Sequence, residues 1–201
     1  MFPALHPAVQ EELTALAGRF GQPLVHLAEL DGPELFDPLT NPDRYGEVCM
    51  VVRRPAGHLI TAKKTFYPPN GHRLLTGGIH HGEAVLDALL RETQEETGLE
   101  VVVRRFLAAV ADHFPGQPEQ PVFYTFAFLL DEVGGTLECM DENEYLEYFR
   151  EITPDELPER AQFLSSLSPV YSPDLNAEWE AWGRFRAVIH CLVFEALFST
   201  H

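Results

Sequence analysis

Apolar positions along this chain switch between two spacings, and the switches divide it into helices and strands. Residues 7–19, PAVQEELTALAGR, read as a helix opened by Pro7 and stopped before Gly21. A Pro- and Asp-rich connection, DGPELFDPLTNPDRYG (31–46), follows. EVCMVVRR (47–54) and HLITAKK (58–64) are strand candidates on either side of the turn-like Pro55-Ala56-Gly57. TFYPPNGHR (65–73) reads as loop, and Glu83–Thr97 as a helix with apolar Val85, Leu86, Ala88, Leu89 and Leu90 and Gly98 as its cap. LEVVVRR and FLAAVA (99–111) are two short strand candidates, and PVFYTFAFLL (121–130) is a buried strand broken by Asp131–Gly135. YLEYFREI (145–152) returns to strand character, and PDELPERAQFLSSL (154–167) opens as a helix. After a linker, SPVYSPD (168–174), a long final helix covers 178–198. Strands and helices mix without strict alternation, which predicts an α/β layered domain with a mixed sheet.

Composition narrows the function classes. The 201 residues are 45% hydrophobic, enough for one compact domain with extensions. The formal net charge is −17, with 14 Lys+Arg against 31 Asp+Glu. That balance leaves no basic stripe for a nucleic acid polymer or an anionic membrane surface. A small phosphorylated ligand stays compatible, because a divalent metal bridges two anions. Cys49, Cys139 and Cys191 have neither metal nor redox spacing and read as buried, reduced thiols. The N-terminus lacks the basic and apolar regions of a secretory signal, and the apolar run 187–198 is too short to span a bilayer. The expected setting is cytoplasmic.

One stretch works against its own stability. In GGIHHGEAVLDALLRETQEETGLE (77–100), Glu92, Glu95 and Glu96 share one helix face. Glu92 and Glu96 repel at i, i+4 by roughly 0.2–0.5 kcal/mol. Glu95 and Glu96 also stand in the last turn, where the helix dipole disfavours anions by about 0.3–1 kcal/mol each. An ordinary solvated acidic face is the bland explanation. A hard-cation site explains the cost, since Mg²⁺ takes carboxylate oxygens.

The order Gly77, five residues, Glu83, seven residues, Arg91-Glu92, two residues, Glu95-Glu96, one residue, Gly98-Leu99 resembles the Nudix box. Thr93 stands where that family usually has an aliphatic residue, and Leu75 and Thr76 where relatives often have proline and glycine. The resemblance implies a Nudix fold: an α/β/α sandwich with a mixed β-sheet, here with an N-terminal helical extension (1–45), a core (46–160) and a C-terminal helical extension (161–201). It also implies Mg²⁺-dependent (or Mn²⁺-dependent) cleavage of a diphosphate linked to a further group, usually a nucleoside. By position, Glu92 and Glu96 are the strongest metal ligands, with Glu95 a further ligand or water-orienting carboxylate and the Thr76 carbonyl another ligand. Arg91 would hold a glutamate, with Glu95 available at i, i+4, and Glu83 would buttress loop and helix. Gly77, Gly78 and Gly82 would let the loop bend around the diphosphate.

Weaker signals surround the box. Relatives add an outside carboxylate as ligand or general base; Glu142, Glu144 and Glu147 are available, with Glu144 favoured. Lys63, Lys64 and Arg73 would steer an anionic substrate or belong to solvated surface. His80 and His81 read as a solvent-exposed pair. Trp179, Trp182, Phe185, Ile189, Leu192 and Leu197 form a stripe suited to core packing or a homodimer contact. Pro115 stands near where the ADP-ribose-cleaving branch carries a proline, which makes ADP-ribose or a nucleotide sugar the first substrate to consider. Two rivals come from the same fold: a non-catalytic nucleotide sensor, and an isomerase that needs a catalytic cysteine loop motif, which the surroundings of Cys49 do not resemble.

Overall fold

The computed structural model describes residues 2–32, 35–141 and 144–199. The chain runs through α1 (Pro7–Phe20), β1 (Leu24–Glu29), β2 (Arg44–Arg53), β3 (Leu59–Lys64), β4 (Arg73–His80), α2 (Val85–Thr97), β5 (Leu99–His113) and β6 (Pro121–Gly135). It closes with β7 (Leu146–Ile152), α3 (Leu157–Ser165), a short hairpin of β8 (Tyr171–Ser172) and β9 (Ala177–Glu178), and α4 (Trp179–Phe198). Seven strands form one sheet in the order β1-β5-β6-β2-β4-β3-β7. The β1–β5 and β2–β6 pairs are parallel and the others antiparallel, so the sheet is mixed as expected. No helix among the described residues is long and apolar enough to cross a membrane.

Both faces of the sheet are covered, which is why β2 is buried at seven consecutive positions. Val48, Met50 and Val52 pack with α1 and α2, through Leu13, Leu16, Val85 and Leu89. Cys49 and Val51 face the opposite layer, with Leu157, Ile189 and Val193 of α3 and α4. Trp179, Trp182 and Phe185 of the apolar stripe enter a third cluster with Phe36, Tyr67 and Leu164. His190 ties α4 to β4. Its Nε2 accepts the Leu74 N–H at 3.1 Å, which leaves Nδ1 to donate to the Arg186 carbonyl at 2.7 Å. Burial lowers its pKa to about 3, so the ring stays neutral.

Several boundaries differ from the sequence reading, each for a tertiary reason. Gly77 and Gly78, expected in a bending loop, lie inside β4, opposite Val48 and Glu47. Only Gly82 of the three glycines has a positive φ, at 85°. Residues 99–111 form one strand with bulges instead of two, because β6 pairs along its whole length. β6 likewise continues through Asp131–Gly135, where Gly134 and Gly135 let it close onto Glu100 and Leu99. The α2 helix begins at Val85. Ala84 supplies no side-chain cap, and Glu12 of α1 accepts from Val85 N and Leu86 N at 3.0 and 3.1 Å instead. β1 and the β8–β9 hairpin were not expected, the latter inside and just after the supposed linker. Of the cysteines, Cys49 alone is buried; Cys139 is half-buried and Cys191 exposed.

Candidate metal centre

The acidic helix face meets β4 where that strand has no side chain. A Cβ on Gly77 would land on the carboxylate of Glu92, so glycine here makes room for the ligand group. At the other end, Gly98 caps α2 in the left-handed conformation (φ 64°), with its N–H on the Gln94 carbonyl. The segment after β6 folds back along α2, through Glu138 N to Thr97 O and Met140 N to Glu95 O. That return places Glu144 beside the helix. Glu92, Glu96 and Glu144 each offer a carboxylate oxygen, and these lie within 4.8 Å of one another. Glu95 stands outside that group, with its side chain 43% exposed. Glu142 lies outside the described residues.

Arg91 organises the glutamates. It donates to Glu83 at 2.8 and 2.9 Å, to Glu92 at 2.8 Å, to Glu95 at 3.0 Å and to the Gly78 carbonyl at 3.0 Å. Glu83 also accepts from His80 N at 3.0 Å, closing the turn before α2. The Arg91 hydrogen bond holds the Glu83 pKa below the ordinary carboxylate range.

Glu96 is the unusual member. It is 2% exposed and accepts no hydrogen bond from the described residues. Burial, followed by the charge of Glu144, raises its pKa to about 8. Burial also raises Glu92, against the opposing hydrogen bond from Arg91. Three clustered carboxylates, one of them desolvated, suit a hard divalent cation with oxygen ligands.

The flanking cations are not loose surface groups. Lys64 donates to Glu144 at 2.8 Å, and Lys63 pairs with Glu147. Arg73 is buried, with its nitrogens on the Tyr67 hydroxyl, the Leu74 carbonyl and the Thr76 hydroxyl. Thr76 sits in β4 opposite Cys49. Arg44, which the sequence reading did not single out, lies over Gly78, where a Cβ would strike its guanidinium, and pairs with Asp43 at 2.8 Å. His80 and His81 are exposed as expected. Pro115 is exposed in the turn between β5 and β6. Burial pushes the Cys49 thiol pKa far up, leaving it unreactive.

Gly77→Ala is expected to keep the fold and weaken Mn²⁺ binding by about tenfold or more, because Glu92 must swing off the cluster. Titration of bound Mn²⁺ by electron paramagnetic resonance measures this. Unchanged affinity would remove Glu92 from the metal centre.

Residues 44–171 match the NUDIX domain family. Over 92 residues, 45% of this chain and 53% of the relative, the sequence is 32% identical to an ADP-ribose pyrophosphatase of Methanocaldococcus jannaschii. The chain thus spans about half the length of the curated relative it matches. Among solved structures it is similar to an ADP-ribose pyrophosphatase from Streptococcus suis (17% identity, 78% of this chain and 93% of that one, TM-score 0.48). It is also similar to a NUDIX hydrolase from Nitrosomonas europaea (16% identity, 57% and 60% coverage, TM-score 0.44). With the match covering most of the chain and the box helix inside it, the protein belongs to the NUDIX domain family.

Proposed function

We propose that the protein hydrolyses the diphosphate bond of a nucleoside diphosphate joined to a further group, with ADP-ribose the first substrate to test and nucleotide sugars the second. One observation carries the reading: Glu92, Glu96 and Glu144 converge, and Glu96 is buried. The identity to an ADP-ribose pyrophosphatase supports the choice of substrate. The proposed setting is cytoplasmic, in keeping with three unpaired cysteines.

The residues divide the work as follows. Glu92, Glu96 and Glu144 would hold Mg²⁺ or Mn²⁺, with the Thr76 carbonyl as a further ligand. A bound divalent ion neutralises phosphate oxygens and acidifies the attacking water. Arg91 keeps Glu92 and Glu95 in place through the bonds described above. Glu95, half-buried beside the cluster, would orient water. Gly77 and Gly78 carry no side chains of their own, which makes room for Glu92 and for the Arg44 guanidinium beside the cluster. The buried contacts of Arg73 favour holding Tyr67 and Thr76 over direct contact with substrate. The test is release of nucleoside monophosphate from a panel of nucleotide sugars, dinucleoside polyphosphates, nucleoside triphosphates and ADP-ribose, with Mg²⁺, Mn²⁺ or EDTA. Turnover in excess EDTA, or none on any substrate, would sink the proposal.

Metal binding should depend on pH with a defined sign. The Glu96 carboxyl, with its pKa raised to about 8, carries a proton at neutral pH in the metal-free protein. A cation must displace that proton, so affinity should rise about tenfold per pH unit up to about pH 8. The metal-free fold should correspondingly lose stability as pH rises from about 4.5 to about 8, because the unfolded state releases the proton earlier. Calorimetric titration in two buffers of different ionisation enthalpy counts the released proton. Affinity independent of pH across that window would contradict the assignment.

A further inference from the structure

A second recess lies apart from the carboxylates. Between the start of α1 and the turn into α2 there is a cavity of about 710 Å³, and none of Glu92, Glu96 and Glu144 lines it. Its walls include Val9, Val122 and Pro121 together with the rings of Tyr45, Tyr124 and His81. Tyr45 and His81 stand as a tilted pair, 6.1 Å between centroids. The volume falls within the roughly 300–1,000 Å³ of small-molecule sites, and aromatic and aliphatic walls with few polar groups are their usual lining.

Charge selects the kind of ligand. No Lys or Arg lines the cavity among the described residues, so it offers an anion no permanent counter-charge, only the imidazoles of His6 and His81. Its two carboxylates, Glu12 and Glu83, are already engaged. Glu12 accepts the Val85 and Leu86 N–H groups, filling the helix N-terminus that would otherwise attract a phosphate. Glu83 is held by Arg91. A cation therefore finds no spare carboxylate either. An uncharged, flat group that stacks on rings is what remains.

We propose that this cavity binds the base and sugar of a nucleoside, as a site separate from the carboxylate cluster. Binding there is coupled to the cluster through named bonds: Glu83 lines the cavity and carries Arg91, and Arg91 holds Glu92. The nucleoside is either free in solution or the nucleoside end of the substrate. The second source alone rests on the hydrolase reading.

The experiment titrates adenosine, guanosine, cytidine and uridine, up to about 1 mM, into the metal-free full chain while amide resonances are followed. Shifts centred on Val9, Gly82 and Ala84 are expected. Ala8, exposed on α1 at the cavity wall, is the site for a blocking side chain, and Ala8→Trp should weaken those shifts at least about tenfold. No shift with any of the four, or equal binding by the variant, overturns the proposal. The wild-type titration decides by itself should the tryptophan perturb folding. Kinetics then separate the sources. A substrate-borne nucleoside makes Ala8→Trp raise KM about tenfold at unchanged kcat, whereas a free one leaves KM alone and alters the wild-type rate on adding adenosine. A chain that turns over no substrate would defeat the hydrolase reading and leave the nucleoside titration standing.

Discussion

Glu96→Gln is expected to lower metal-dependent turnover by about a thousandfold or more while leaving the fold intact. The size follows from the charge the residue would contribute: a divalent ion stabilises the transition state by several kcal/mol, and about 4 kcal/mol corresponds to three orders of magnitude. Glutamine has nearly the same shape, so packing at this 2% exposed position is preserved. The substitution also has a stability signature that distinguishes loss of a ligand from damage. In metal-free wild type the penalty for keeping Glu96 buried grows from about pH 4.5 to about pH 8 and is constant above that. Glutamine never ionises. The variant should therefore match the metal-free wild type at about pH 4 and exceed it at about pH 9. Thermal melts at both pH values, beside the phosphate-release assay, measure the two effects together. Full turnover by the variant would refute the metal assignment, and a lower melting midpoint at both pH values would show that the residue is structural.

The candidate metal centre was partly legible because its chemistry is local. Glu92 and Glu96 share a face by helical spacing, and Gly98 ends the helix where a cap was expected. Glu144 was a choice among three acids, and the chain's return past Glu95 brings it to the cluster. The Arg91–Glu95 contact also followed from i, i+4 spacing. The rest depends on distant partners. Glu12 lies 73 positions before the helix start it caps, and no local pattern pairs them. Arg44 and Gly78 meet only because β2 and β4 are neighbours. The glycine pair was misleading for a physical reason: glycine usually marks a turn, whereas here it clears the face of a buried strand for Glu92.

The fold shows the same division. Strands buried on both faces are visible as continuous apolar runs, so β2, β3 and the middle of β6 were evident. Their extents are set by pairing. Asp131–Gly135 carries turn residues, yet it stays in β6 because β5 continues opposite it. β1 is a short parallel edge strand whose partner, Ala108–His113, lies far along the chain. Nothing within six residues announces such a strand.

Arg186→Met is expected to cost about 3–5 kcal/mol of stability, because it strands a buried carboxylate. Arg186 on α4 and Glu47 on β2 are 4% and 3% exposed and form an ion pair across the layer. Glu47 also accepts from the Thr125 hydroxyl at 3.1 Å. Nearby Asp112 is buried too, and its pKa is raised well above the ordinary value by that burial first and by Glu47 second. Loss of the guanidinium removes the ion-pair partner of Glu47 and the opposing charge beside Asp112. Methionine fills much of the space, so the loss would be electrostatic and not a cavity effect. The double variant Glu47→Gln with Arg186→Met removes both charges and should recover most of the stability, since a buried pair often contributes little net. Urea unfolding of the two single variants and the double completes the cycle. A cost below about 1 kcal/mol for Arg186→Met, or a double variant no better than the single, would mean that the pair does not hold α4 to the sheet. Glu47 stands opposite Gly78, one residue from the strand position that clears Glu92, so the same bond fixes the strand beside the candidate metal centre. The C-terminal helix is therefore expected to support the site from behind: Arg186→Met should also weaken Mn²⁺ binding under conditions where the protein remains folded.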